Sequence, residues 1–174
     1  MNDTVEALQE HAGLVLVKTQ AIGSGVSSVT VTGAFSSTFD NYRIIATDIT
    51  GTNNVALNMR MGSETGTNYK YLRQYQKWND STIVAYSNTA ATYWDSIGRI
   101  TQDGSNRSIL DLCSPYKTAP THGTSDGAGN RNFEFVVSLS LWLNTTDSYT
   151  SFQMFPNSGT ITGGTIRVYG YNNG

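Results

Sequence analysis

The sequence predicts an all-β fold in which two antiparallel sheets form a sandwich, with the jelly roll as the leading topology. In Phe133–Leu143, large apolar residues occupy every odd position, while the even positions are mostly polar. Such alternation is typical of a half-buried strand. About ten strand-like segments recur at intervals of roughly 10–15 residues, and no helical segment separates them. This arrangement favours a sandwich, and a simpler Greek-key sandwich fits the same pattern.

Residues 1–13 are predicted to form a short helical arm in front of this domain. Asp3 can cap a helix, and Glu6 has the spacing of a capping box. Val5 and Leu8 fall on one apolar stripe. Because so short a helix is marginal alone, it must dock, either on its own domain or on a neighbouring subunit. Val5 and Leu8 are therefore the candidate docking residues.

Residues 14–174 are predicted to form a single β-sandwich domain. Its strand candidates are separated by Gly, Asn, Asp and Ser clusters of the turn type. In chain order they are Leu14–Ile22, Ser28–Thr32, Tyr42–Ile49, Val55–Met61, Tyr69–Trp78, Thr82–Tyr86, Tyr93–Ile100, Arg107–Ser114, Phe133–Leu143, Tyr149–Phe155 and Thr165–Tyr171. The longest segment predicted as irregular is Pro115–Asn132, and a loop of that length is typically functional or an interface element.

The composition argues against several classes of function. Of the 174 residues only 14% are charged, against a usual value of roughly 25%, and the net charge is −2. The 11 basic residues are spread singly, so we expect no nucleic-acid partner. The start of the chain lacks a basic signal region, and the apolar run Leu14–Val17 is too short for a membrane span. We therefore expect synthesis in a cytoplasm and no membrane insertion.

Chemistry-bearing residues are sparse. Cys113 is the single cysteine, which excludes an internal disulfide and a cysteine-based metal site. His11 and His122 have no third ligand at metal spacing, and the carboxylates are scattered singly. A glycosidase pair of carboxylates on adjacent strands stays open, but no phosphate loop, nucleophile elbow or nucleotide fingerprint is present. We predict a non-enzyme with no cofactor and no metal site.

Aromatic side chains are the leading candidates for a binding surface. Tyr71 and Tyr75 share one face of a predicted strand, and Trp78, Tyr93 and Trp94 are close by in the sequence. Tyrosine and tryptophan dominate interface hot spots, and their rings also stack on sugars. Three interpretations remain open for these five residues, namely packing in the sandwich core, a subunit interface, or a platform for a glycan.

Two segments at opposite ends of the domain have a characteristic pattern of residue types. Gly13–Ile45 contains a short apolar strand, a small-residue turn, a Val-rich strand and an aromatic-flanked Asp-Asn-Tyr; Gly163–Tyr171, GGTIRVYGY, is a terminal strand that ends in aromatic and glycine residues. Together they resemble tailed-phage virion surface proteins of the marine and cyanobacterial type, a group that includes capsid decoration (cement) and fibre-type β-sandwich proteins. The resemblance covers about a quarter of the chain and brings no catalytic residues with it.

The resemblance implies a capsid decoration protein on the virion surface, made in the host cytoplasm and released by lysis. Its expected partners are other virion proteins, above all the major capsid protein, together with further copies of itself. Such proteins are often trimers, because they occupy symmetry axes of the particle. Two alternatives remain, a receptor-binding tip of a tail or head fibre, and a carbohydrate-binding module that takes a host-surface glycan.

Overall fold

The computed structural model describes residues 13–77, 80–129 and 134–172, and this part of the chain is all-β, with two antiparallel sheets. The all-β, two-sheet prediction is therefore confirmed. The strands are β1 (Leu14–Ala21), β2 (Val29–Val31), β3 (Asn41–Gly51), β4 (Val55–Met61), β5 (Tyr69–Lys77), β6 (Asp80–Ala91), β7 (Trp94–Ile100), β8 (Asn106–Cys113), β9 (Thr121–Gly129), β10 (Glu134–Leu143), β11 (Phe152–Pro156) and β12 (Ile161–Tyr171). The predicted helical arm, with Val5 and Leu8, lies outside the described residues.

The two sheets differ in size. The larger sheet has eight strands in the order β1-β12-β3-β8-β9-β10-β5-β6, and the smaller has four in the order β2-β11-β4-β7. Along the chain, β1 and β3 belong to the larger sheet and β2 and β4 to the smaller one. The neighbouring pairs β5–β6 and β9–β10 widen the larger sheet on one side. Strand β6 is the outermost strand on that side.

The hydrophobic core lies between the sheets, and period-two alternation places it there. On β3, Tyr42 and Ile44 are fully buried, whereas Arg43 between them is only partly buried. On β10, Leu141 is buried and Trp142 is exposed. The alternation predicted for Phe133–Leu143 is thus confirmed in its last five residues. The inward residues of the smaller sheet complete the core from the other side.

Strand β9 lies inside the segment predicted as an irregular loop, so that prediction is wrong for Thr121–Gly129. Its inward positions hold small residues because β7 of the smaller sheet passes very close. A Cβ atom at Gly127 would lie 3.0 Å from the Cα atom of Gly98 on β7. Large apolar side chains do not fit there, and β9 therefore lacks the hydrophobic alternation by which strands are found in a sequence.

Candidate functional site

The aromatic residues that the sequence singled out occupy different places. Trp94 is fully buried, its ring meets that of Tyr69 edge to face at 5.4 Å, and its Nε1 donates to the carbonyl of Trp142 at 3.3 Å. It bridges the two sheets as a core residue and offers no surface to a ligand. Trp78 lies outside the described residues.

Tyr93 belongs to a separate cluster, immediately before the first residue of β7 in the smaller sheet. Its ring contacts Phe155 of β11 edge to face, with 5.2 Å between centroids. The guanidinium of Arg60 lies 5.9 Å from the Tyr93 ring and 5.1 Å from the Phe155 ring. Arg60 also donates to the carbonyl of Thr92 at 3.2 Å. These contacts hold Tyr93 in place and keep it apart from the other predicted site residues.

Tyr71 and Tyr75 do share one face of β5, and that face is turned toward the smaller sheet. Arg73 lies between them, and its guanidinium stands 5.6 Å from the ring of Tyr75 and 5.2 Å from the ring of Tyr86 on β6. The ring centroids of Tyr71 and Tyr86 are 6.1 Å apart. Cation–π contacts of this kind favour a fixed, partly desolvated guanidinium. We call Tyr71, Arg73, Tyr75 and Tyr86 the β5–β6 aromatic cluster.

Arg73 connects this cluster to the smaller sheet. Its Nη1 donates to Asp95 Oδ2 at 2.9 Å and to Ser96 Oγ at 2.5 Å, and Ser96 Oγ donates to Asp95 Oδ1 at 3.0 Å. Ser96 adopts a φ of 59°, in the left-handed region, and its amide donates to Asn58 Oδ1 at 3.0 Å. The register of β4 and β7 is irregular at this point. The irregularity turns Asp95 and Ser96 toward Arg73.

A cleft of about 390 Å³ opens beside this ion pair, between β5 and the edge of the smaller sheet. Its lining includes two guanidinium groups, from Arg73 and Arg99, against the single carboxylate of Asp95. Tyr75 and Asn157 add an aromatic ring and an amide at the same cleft. Two arginines, a ring and an amide together can bind a polar ligand such as a saccharide, through hydrogen bonds and stacking. We call this the Arg73 cleft.

Burial changes the acidity of Tyr71, which belongs to the β5–β6 aromatic cluster. Desolvation, together with the negative charge of Asp95 and the proximity of Tyr86, raises the pKa of Tyr71 to about 12 from its ordinary value of 10.0. Tyr71 is therefore neutral at physiological pH and acts as a packing residue and hydrogen-bonding group. It is not poised as a general base.

A second, more open cleft of about 690 Å³ lies among the loops between residues 62–65 and 147–151. Glu64 and Asp147 line it, but the Glu64 carboxylate already accepts hydrogen bonds from the amide of Gly66 and the side chain of Asn68. Across the described ranges, no group of three or more His, Cys, Asp or Glu side chains is arranged to hold a metal ion. This cleft is the weaker candidate because one of its two acidic groups, that of Glu64, is engaged by its own loop.

The outward face of the larger sheet carries a further polar cluster. Arg43 forms a bidentate pair with Asp111, at 2.8 and 2.7 Å, and the Tyr171 hydroxyl donates to the same carboxylate. Partial burial favours the protonated acid, but the hydrogen bonds from Arg43 and Tyr171 outweigh it and hold the pKa of Asp111 below its ordinary value. These three residues join β3, β8 and β12, so the cluster stabilises the sheet.

The sequence predicts only the β5 side of the Arg73 cleft. The tyrosines and Arg73 fall on one face of β5 by simple alternation, which a sequence reveals. Asp95 and Ser96 come from the other sheet, and an irregular backbone aims them at Arg73. No signal in the sequence predicts this meeting, because neither sheet packing nor a bulge can be read from local pattern.

Comparisons with known proteins add little to this geometry. No protein-family model matches the chain, and no curated protein matches it. A crystal structure of three domains of the flagellar cap protein FliD from Escherichia coli aligns at 13% identity with a TM-score of 0.16, over 90% of this chain. The chain spans 56% of that protein's length. A likeness of this size shows neither a shared fold nor a shared function.

In the portion of the chain that the structure describes, no helix has the length and hydropathy needed to cross a bilayer.

Proposed function

We propose that the protein is a non-enzymatic jelly-roll protein of a phage virion, and specifically a capsid decoration protein. The observation that supports the jelly roll is the pairing order of eight strands. β1 pairs with β12 and β3 with β8 in one sheet, while β2 pairs with β11 and β4 with β7 in the other. The first of these eight strands thus pairs with the last and the second with the next to last, in alternating sheets. This is the pairing of a chain that folds into one long hairpin and then wraps into two sheets.

In this arrangement the remaining strands are additions to a jelly roll. β5 and β6 are inserted between its fourth and fifth strands, and β9 and β10 between its sixth and seventh. Jelly rolls are frequent in viral capsid proteins and in lectins, but a fold alone does not define a function. The virion assignment therefore also rests on the resemblance of Gly13–Ile45 and Gly163–Tyr171 to phage surface proteins.

The proposed docking element is the arm of residues 1–13. β1 is an edge strand of the larger sheet, and Leu14 and Leu16 at its start are exposed apolar residues. They would extend an apolar surface formed by Val5 and Leu8 toward the capsid. In this proposal the major capsid protein is the main partner, and the protein acts on the virion surface as a homo-oligomer.

Deletion of residues 1–12 tests the docking proposal. The shortened protein should keep its β-sheet circular dichroism and its Tm, yet no longer copurify with particles. A full-length Val5→Ser/Leu8→Ser variant should lose occupancy in the same way, whereas Glu6→Gln, a matched change in the same arm, should retain it. Unchanged occupancy of the deletion variant would contradict the proposed docking role.

A second candidate function, recognition of a host-surface glycan as a carbohydrate-binding module or at a fibre tip, is favoured by the Arg73 cleft. A glycan array probed with the purified protein tests it. Binding should be lost in Tyr75→Ala, which removes the ring at the cleft, and kept in Tyr93→Ala, which changes an aromatic residue of the separate cluster. A wild-type protein that binds no glycan on the array, and does not block phage adsorption to cells, would rule this candidate out.

A further inference from the structure

Strand β6, Asp80–Ala91, has no partner on its outer side in the described part of the chain. It pairs with β5 on one side, and it ends the order of the larger sheet on the other. Every one of its 12 residues is exposed except Asn88 and Ala91, which are half-buried. The amides of Thr82 and Ala90 donate to the side chains of Asp80 and Asn88, so the open part of the edge lies between them and is about 23 Å long. An edge of this kind is a template for pairing with another strand.

Each sheet edge in the described structure is short or carries an irregularity. β1 contains a register shift beside Lys18, and β2 has three residues. β7 is interrupted by the left-handed Ser96. The pairing of β6 with β5 shifts register at two places, but between them Val84–Asn88 pairs regularly. Residues 81–91 of β6, STIVAYSNTAA, contain no charge, proline or glycine, the residues with which folded proteins often block or break an edge.

Exposed apolar side chains coincide with this open edge. Ile83, Val84 and Tyr86 are 64%, 37% and 47% exposed. Val84 lies opposite Tyr75 and Tyr86 opposite Arg73, so both point to the face that is turned toward the smaller sheet. The smaller sheet does not reach far enough to cover them. Unpaired backbone and uncovered apolar surface therefore occur on the same strand.

We propose that β6 pairs antiparallel with β6 of a second copy of this chain, about a two-fold axis at Ala85. This register places Val84 of each copy opposite Tyr86 of the other, within the stretch that pairs regularly with β5, while Ile83 on the opposite face lies opposite Ser87. A register centred one residue away, on Val84 or on Tyr86, would instead place Tyr86 opposite Thr82 or Val84 opposite Asn88. The facing segments of the two copies carry no charge, so they do not repel each other. The resulting interface is isologous and closed. The two larger sheets become one continuous sheet.

This inference does not depend on the proposed virion role. It concerns purified protein in the absence of particles. It can therefore fail while the virion role holds, and the virion role can fail while this inference holds. A two-fold strand pairing is the only arrangement it allows at β6, and a monomer or a trimer that leaves this edge free contradicts it.

Cross-linking tests the register. In a Cys113→Ser background, which removes the exposed native thiol, Ala85→Cys should form a disulfide-linked dimer on mild oxidation, because its two copies face each other on the axis. Disulfides require Cα atoms within about 7 Å. Ser87→Cys is the matched control, since its two copies would be four residues apart along the strand, about 13 Å, and should stay reduced. Equal cross-linking of both variants, or none of either, would overturn the register.

Solution mass tests the interface itself. Sedimentation should show the wild-type protein as a dimer at micromolar concentration. Ala85→Lys, which places two lysines opposite each other at the axis, should weaken dimerisation at least tenfold and leave a folded monomer with an unchanged β-sheet spectrum. Thr124→Lys, at an exposed position on the inner strand β9, should remain dimeric. A monomeric wild-type protein, a trimer, or a dimer insensitive to Ala85→Lys would refute the proposal.

Discussion

Gly98 on β7 and Ser108 on β8 face each other across the two sheets so closely that a Cβ atom on Gly98 would lie 1.6 Å from Ser108 Oγ. Stacked sheets are ordinarily about 10 Å apart, a spacing set by the side chains between them. Here the side chains are reduced to those of glycine and serine, and the buried Ser108 hydroxyl fits against the bare backbone of β7. The close approach brings the edge of the smaller sheet onto β8 and β9.

Gly98→Ala should therefore be severely destabilising. The new methyl group would overlap both Ser108 Oγ and Ser108 Cβ, the latter at 2.7 Å, so β7 must move away from the larger sheet. Overpacking of this kind costs about 1–3 kcal/mol or more of unfolding free energy. Urea denaturation measures the loss. Gly23→Ala is the control, because its nearest atom would be 3.9 Å away, and it should change stability little. Equal stability of the two variants would contradict the close contact.

The ion pair between Arg73 and Asp95 should contribute measurably to stability. Its side chains are only 16% and 23% exposed, and they are shared with Ser96. A double-mutant cycle of Arg73→Met and Asp95→Asn should give a coupling energy of about 1–3 kcal/mol, in the range for hydrogen bonds to charged groups.

The pair Lys117–Asp40 is a matched comparison for this cycle. Its nitrogen–oxygen distance is also 2.9 Å, but its side chains are 52% and 49% exposed. Exposed pairs contribute about 0–1 kcal/mol, because solvent screens them. If the two cycles give the same coupling energy, burial is not what strengthens the Arg73–Asp95 pair, and the interpretation of Arg73 as a fixed link between the sheets is lost.

Truncation of Trp94 should cost much more stability than truncation of Trp142. Trp94→Ala would leave a large cavity between the sheets, at a cost of about 3–5 kcal/mol. Trp142→Ala, on the outer face of β10 where the ring is 44% exposed, should cost less than about 1 kcal/mol. Chemical denaturation of both variants measures the difference. Comparable losses at the two positions would mean that the burial assigned to Trp94 is wrong.

Local alternation made most of the sandwich predictable. Strands such as β4 and β12 carry a clear apolar face; β4 has its predicted bounds, Val55–Met61, whereas β12 begins at Ile161, four residues before the predicted start at Thr165. β9 lacks such a face because its inward residues are small, which reflects the tertiary contact with Gly98 and not a local preference. The same limit applies to Trp94, since a sequence cannot distinguish a tryptophan that fills a core from one that covers an interface.

The Arg73 cleft was predictable only on its β5 side. Tyr71, Arg73 and Tyr75 share a face by spacing alone, but Asp95 reaches Arg73 through a register shift against β4 and a left-handed Ser96. Tyr86 completes the cluster through the pairing of β6 with β5. Each of these contacts depends on which strands become neighbours, and strand order is a global property of the fold.

Alkaline conditions should destabilise the protein through tyrosines whose pKa is raised in the folded state. Desolvation and the hydrogen bond to Asp111 raise the pKa of Tyr171 to about 12 from 10.0, and burial likewise raises that of Tyr71 to about 12. Between these pH values the folded protein holds phenol protons that the unfolded chain has lost. The free energy of unfolding is therefore full below pH 10 and declines as the pH rises toward 12.

Urea denaturation at a series of pH values, together with tyrosinate absorbance, measures this decline. Tyr171→Phe removes one of the titrating groups, so its stability should fall less steeply between pH 10 and 12 than that of the wild-type protein, although the variant starts lower because Asp111 loses a hydrogen bond. A slope in Tyr171→Phe as steep as in the wild-type protein would show that the phenol of Tyr171 is not held by Asp111, since only a proton bound more tightly in the folded state links stability to pH in this range.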